Sequence, residues 1–399
     1  MGNDRVLSNF VCMHSQQLSL LTYVHIIAED TFDVGLMLRL FTDCPNLEVL
    51  SCNRMMQEVN GLPSPPLPAA ALARLVALQV PFLGVPFWQR VLPNLRALKV
   101  LTISCPQRYT GRVDKEGLIA PALVSVLGEA HIQQELRHLE LSNGMSENEL
   151  VHLANLYANS QPGLRNCVVD SRIELDEPIR RIISSIVVSH VHTLQSLNCP
   201  VIVAEGIRSL LEGNHIFRSL TVMEVKGHAP FPIGRGNDDR RNFAPWVSTL
   251  LQRTPSLVHL ALSFISGLDF ATYAALIQLV QLRSVKLLLC DDFIPYFVQF
   301  IQVAAGNGVP ALQDIDVQSV CIHLAIILCR FSVQAAISPV SEDFDFTKEL
   351  DAGRKEEVLY CLRKPNVNSH STPSPMELLI EFNICKWADC FLFLASSVF

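Results

Sequence analysis

This sequence predicts an α/β fold of one particular kind, a solenoid of short repeats in which each unit supplies one strand and one helix. Three features carry the expectation. A Leu-x-x-apolar-x-apolar string recurs along the chain. The residues between its apolar positions are mixed or polar. Several copies follow a proline placed at one fixed distance.

The string is plainest in "CPNLEVLSC" (44–52) and "TPSLVHLALS" (254–263). With Leu47 as an anchor, comparable anchors fall at Leu75, Leu95, Leu136, Leu164, Leu194, Leu220, Leu257, Leu282 and Leu312, separated by 20 to 41 residues. That spacing averages about 29, near the upper end of the leucine-rich range. Three residues after the anchors stand Leu50, Leu78, Leu98, Leu139, Cys167, Leu197, Met223, Leu260, Val285 and Ile315, all apolar. Five after them stand Cys52, Val80, Val100, Leu141, Val169, Cys199, Val225, Leu262, Leu287 and Val317, again all apolar. The positions between are mixed, running from Val49 and Ser51 in the first unit to Asp314 and Asp316 in the last. Period-two alternation of this sort marks a strand with one buried and one exposed face. One anchor is ambiguous: Leu98, Leu101 and Ile103 fit the string as well as Leu95, Leu98 and Val100.

Pro45, Pro93, Pro162, Pro255 and Pro310 each lie two residues before an anchor. Proline cannot continue a helix and disfavours the helical conformation in the residue before it. The segments ahead of them read as helices. In "LVHLANLYANSQ", Leu150, Leu153, Ala154 and Tyr157 recur at i, i+3, i+4 and i+7 to make one apolar stripe. In "APWVSTLLQRT", Pro245 sits near the helix start, where proline is tolerated. Helix, proline stop, strand and loop therefore form the unit. A doubly wound α/β enzyme would also alternate strand and helix, but its strands, buried on both faces, would read as continuous apolar runs. The polar columns favour a leucine-rich-repeat solenoid, with strands on the concave face and helices on the convex face.

The strings "LFTDCPNLEVLSC", "RVLPNLRALKV", "QELRHLELSN", "LQRTPSLVHLALS" and "VPALQDIDV" resemble the irregular leucine-rich repeats of fungal F-box/leucine-rich-repeat-like proteins, from about Leu18 to Val320. In that family an amino-terminal F-box docks on an Skp1-type subunit of a cullin ubiquitin ligase, and the repeats hold the substrate. The resemblance implies substrate recognition for an SCF-type ubiquitin ligase. No Leu-Pro-x-Glu type turn precedes Leu18, so an Skp1-type partner is expected only if an F-box is supplied upstream.

Three regions are expected: a poorly defined N-terminal segment, 1–17; the solenoid, 18–320; and a degenerate C-terminal region, 321–399. The last holds an acidic helix, a linker at 363–375 and an apolar tail that serves either as a solenoid cap or as a sticky end. The stretch 227–243, "GHAPFPIGRGNDDRRNF", reads as a loop inserted into one unit, either merely tolerated or in contact with a partner. With 49% hydrophobic and 17% charged residues, most of the chain is expected to bury a core. A net charge of −7 and a pI near 5.9 argue against a nucleic-acid groove. No apolar run reaches the roughly 18 residues needed to span a membrane. Twelve scattered cysteines without a Cys-x-x-Cys pair, and no Asn-x-Ser/Thr site, point to a reduced cytoplasmic or nuclear setting.

No cofactor or catalytic motif emerges. His131, Glu135 and His138 would share one face of a helix as metal ligands, but the strand string claims that segment. His190 with His192, and Cys321 with His323, lack further ligands. The polar strand columns are the better place to look for function. His138, Glu140, Glu224, Lys226, Lys286, Asp314 and Asp316 are expected to project from the concave face toward a protein partner, with Val49, Ser51 and Asn53 beside them. Solvated charge without a partner would look the same in sequence. A structural or regulatory interaction module with no ubiquitin link is the alternative reading.

Overall fold

The computed structural model describes residues 18–26, 32–52, 56–57, 67–68, 71–81, 85–104, 119–171, 175–211, 215–227, 244–288, 290–292, 300, 303–304, 309 and 311–318. The N-terminal segment 1–17, most of the 227–243 loop and the whole of 321–399 lie outside the described residues, and so does Asn53. The chain divides into two compact units, Met1–Leu220 and Thr221–Phe399.

The first unit contains β1 (Tyr23–Ile26), β2 (Phe32–Asp33), β3 (Val49–Cys52), β4 (Met56–Gln57), β5 (Ala77–Pro81), β6 (Val100–Ser104), β7 (His138–Ser142), β8 (Asn166–Val169) and β9 (Ser196–Pro200). β2 and β4 pair with each other; the other seven form one sheet in strict chain order. Every pair in it is parallel. The helices of this unit are α1 (Val34–Asp43), α2 (Val85–Val91), α3 (Ile119–Gly128), α4 (Ala130–Glu135), α5 (Glu147–Tyr157), α6 (Glu177–Ser189) and α7 (Val201–Leu210). The second unit holds β10 (Val222–Lys226), β11 (His259–Ser263), β12 (Ser266–Leu268), β13 (Ser284–Leu288), β14 (Asp291–Asp292) and β15 (Asp314–Gln318), with α8 (Val247–Leu251) and α9 (Phe270–Ile277). Here β10, β11, β13 and β15 are parallel and again in chain order, and β12 pairs with β14. Among the described residues the strand order reverses in neither unit, as a doubly wound sheet requires at its switch point.

One loop geometry recurs ahead of the strands. The anchor N–H closes a turn onto the carbonyl three residues back: Leu47 to Cys44 at 3.2 Å, Leu257 to Thr254 at 3.1 Å, Leu312 to Val309 at 3.1 Å. Pro45 and Pro255 fill the second position of such turns, where a φ fixed at about −65° is already correct. The carbonyl after the anchor then accepts two N–H groups from the next repeat. Glu48 receives Val76 and Ala77, Arg137 receives Arg165 and Asn166, and Thr221 receives Val258 and His259. Loop backbone that would otherwise be buried without partners is satisfied in this way.

The same bonding resolves the ambiguous third anchor. Lys99 and Val100 both donate to Val76, and Ala77 aligns with Val100, so Leu98 is the anchor and Leu95 is not. The cause is a 3-10 turn, Leu92–Asn94, that carries the helix past Pro93 and displaces the register by one turn. Proline is accepted there because the first turn of a helix needs no N–H from it. Lys99 consequently leaves the strand, and Thr102 takes the polar position.

Anchors, third residues and fifth residues form the core. Leu47, Leu50 and Cys52 are buried, as are their equivalents through Leu282, Val285 and Leu287. Cys44, Cys52, Cys167, Cys199 and Cys290 are buried. Burial pushes the Cys167 thiol pKa up to about 12, leaving it a small hydrophobe rather than a nucleophile. No described helix is long and apolar enough to cross a membrane.

The expectation that all helices share one face fails at α5. α2 packs on α3, α3 on α6, and α6 on α7, so this row passes over α5. Instead α5 contacts β3, β5 and β6. Its stripe, Leu150, Ala154 and Tyr157, forms one cluster with Val49, Ala77 and Val100. Those three lie on the polar-column face, opposite Leu50, Leu78 and Leu101. The β7–α5–β8 crossover is therefore opposite in hand to its neighbours, an arrangement that connecting helices rarely adopt.

Candidate functional site

In the second unit the polar columns lie in register across the ladder. One row holds Val222, His259, Ser284 and Asp314, and the next holds Glu224, Ala261, Lys286 and Asp316. Lys226 Nζ stands 2.9 Å from Glu224 on its own strand. Lys286 Nζ stands 3.0 Å from Asp316, its direct cross-strand partner. These four side chains are 32 to 45% exposed, and Asp314 is exposed as well. Pairs this accessible contribute about 0–1 kcal/mol to stability.

His138 and Glu140, in the first unit, do not project into solvent. Their side chains are only 7% and 13% exposed, and His138 Nε2 lies 3.1 Å from Glu140 Oε2. Ser142 Oγ donates to the other carboxylate oxygen, and the Gly144 N–H donates to Ser142 Oγ at 3.0 Å. Burial alone would raise the Glu140 pKa. The hydrogen bonds from His138 and Ser142 and the charge on His138 outweigh it, leaving the carboxyl below its ordinary value. Glu140 here accepts from both neighbours, and the serine hydroxyl bonds the carboxylate rather than the histidine. The cluster thus lacks the nucleophile-to-base contact of an acyl-transfer triad. It braces the turn that leads into α5. Gly144 makes that turn at φ +91°, a conformation that suits glycine.

The next residue is clasped from below. Gln79 Oε1 accepts the Met145 N–H at 3.1 Å, and Gln79 Nε2 donates to the Met145 carbonyl at 3.2 Å and to Ser51 Oγ at 3.3 Å. Ser146 caps α5 by accepting from Glu149 N–H at 3.4 Å, the first half of a capping box. At the far end Lys99 Nζ donates to the Ala158 carbonyl at 2.6 Å, a cation on the negative end of the helix. Asn166 Nδ2 donates to the Tyr157 hydroxyl at 2.6 Å. Val49 and Ser51, expected to face a partner, are instead buried beneath α5 with Gln79 and Thr102. Sequence reasoning missed Gln79, Lys99 and Met145. The available signal was charge: in β3, β5 and β6 the polar columns are Val49/Ser51, Ala77/Gln79 and Val100/Thr102, with no ionised group among them.

His131 and Glu135 lie on α4 while His138 lies on β7, and His131 Nε2 meets the Leu92 carbonyl at 3.1 Å. Among the described residues no His, Cys, Asp and Glu group is placed to hold a metal ion. Searches against protein-family models and curated proteins return no match for this chain.

Proposed function

We propose that the protein is a non-enzymatic recognition module, a leucine-rich-repeat solenoid that holds another protein on its strand face. The observation that carries this is the second unit's register of Glu224, Lys226, Lys286, Asp314 and Asp316 on a rigid parallel ladder. Charges of both signs at fixed spacing complement a folded or peptide partner better than a polyanion. Chain-order strands, one repeated loop geometry and neighbour-to-neighbour helix packing support the solenoid reading.

The narrower form is substrate recognition related to SCF-type ubiquitin ligases in the cytoplasm or nucleus, with an F-box supplied upstream. The second reading is a structural or regulatory module with no ubiquitin link. The test is a double charge swap, Glu224→Lys with Lys226→Glu, which keeps an ion pair but inverts its sense. Partner capture by the full chain is expected to fall at least tenfold at unchanged Tm. Undiminished capture would remove this face from the function. Ubiquitination of the captured partner by a reconstituted ligase carrying the chain fused behind an F-box separates the two readings; its absence leaves the module without ubiquitin chemistry.

A further inference from the structure

The face of β1, β3, β5 and β6 is built to hold a helix, and α5 is the helix that now lies there. The contacts are specific along its whole length. The Glu147 carboxylate at the start of α5 faces the Tyr23 hydroxyl, whose pKa rises first through burial and then through this neighbour. Leu150, Ala154 and Tyr157 meet Val49, Ala77 and Val100 in the middle. Lys99 takes the last carbonyl.

Other features weaken the hold. The floor beneath α5 includes Ser51, Gln79 and Thr102, polar residues with no exposed surface. Thr102 Oγ1, Ser104 Oγ and His138 Nδ1 are buried on this side of the sheet without a hydrogen-bond partner. Each such atom has given up its hydrogen bond to water without replacement, a cost that exposure would remove. Glycines with positive φ stand at both ends of the excursion, Gly144 at +91° and Gly163 at +115°. The helix row on the opposite face closes past α5, with α3 packed directly on α6, so that row does not depend on it.

We propose that α5 is a displaceable internal occupant of a helix-binding face, and that the face serves a partner's amphipathic helix of the same pattern. That helix carries leucine, alanine and tyrosine at i, i+4 and i+7 and an acid in its first turn. Binding by this face is autoinhibited until α5 lifts. The inference concerns the first unit alone and stands whether or not the second unit's charged face binds a protein.

The probe is a labelled peptide spanning Met145–Asn159, titrated into the full chain. Leu150→Asp in the chain weakens the internal helix without touching the face. The peptide is expected to bind this variant at least tenfold tighter than wild type, and a peptide carrying the same substitution is expected to lose that binding. Equal affinity for the variant and wild type, with the variant folded by circular dichroism, overturns the proposal. Hydrogen exchange on the wild-type chain is independent of how the variant folds. The amides of α5 are expected to exchange at least 100-fold faster than those of Leu139 and Leu141; equal protection shows α5 to be permanent structure and refutes the idea.

Discussion

Replacing Gln79 by leucine isolates the clasp that holds α5. Leucine keeps the volume of a fully buried side chain, so a cavity contributes little. What disappears is the pair of bonds to Met145 N–H and C=O, at 3.1 and 3.2 Å, with the contact to Ser51. Two buried backbone groups left unpaired cost about 1–3 kcal/mol each, so the clasp should weaken by about 2–6 kcal/mol. The molecule can avoid that cost by letting Met145 and α5 rise into water. The loss is therefore expected to be local: α5 amides exchange at least about 30-fold faster, the equivalent of about 2 kcal/mol, while those of β8 and β9 change little. A change under threefold in α5, or an equal rise across β7, β8 and β9, refutes the reasoning. Gln79→Glu adds a sign test. Burial raises a carboxyl pKa above its unfolded value of about 4.3, and only the protonated form can donate to the Met145 carbonyl. Its stabilising contribution is complete below the unfolded pKa and is lost as pH rises through the folded one. The Gln79→Glu variant should therefore hold α5 better at pH 5 than at pH 8, as read by the same amide exchange.

Glu140→Gln should cost about 1–2 kcal/mol at pH 7. Because the native pKa of Glu140 is depressed, that difference is present above its unfolded pKa and fades as pH falls through the native one; urea midpoints at pH 7 and pH 3 measure it. Gly206→Ala places a Cβ 2.5 Å from Ser184 Oγ between α7 and α6, so it should lower Tm, with Ser184→Gly restoring much of the loss. At Gly128 on α3 a Cβ meets nothing within 4 Å, and Gly128→Ala should raise stability by about 0.4–1 kcal/mol by calorimetry. Cys167, with its pKa at about 12 and no exposed surface, should escape alkylation of the native chain at pH 8 while reacting fully in urea, as read by peptide mass mapping.

The repeat was legible because a strand buried on one face must alternate, and the alternation is local. The columns from Leu47, Leu50 and Cys52 onward needed no tertiary information. An error at one anchor hid the rest. Taking Leu95 in place of Leu98 put Lys99 in the polar column and made β6 look solvent-facing. The 3-10 turn across Pro93 that moves the register is a choice of two similar turns, which proline permits equally.

The sequence by itself determined the parallel strand units, their buried columns, the proline turns and the apolar stripe on α5. All of these follow from periodicity and from backbone limits on single residues. Only the tertiary structure decided which face α5 covers. Leu150, Ala154 and Tyr157 would bury equally well on either side of the sheet; a stripe records that a helix is covered, not by what. Long-range contacts made the choice, above all Gln79 with Met145 and Lys99 with Ala158. The same choice buried His138 and Glu140 as a brace.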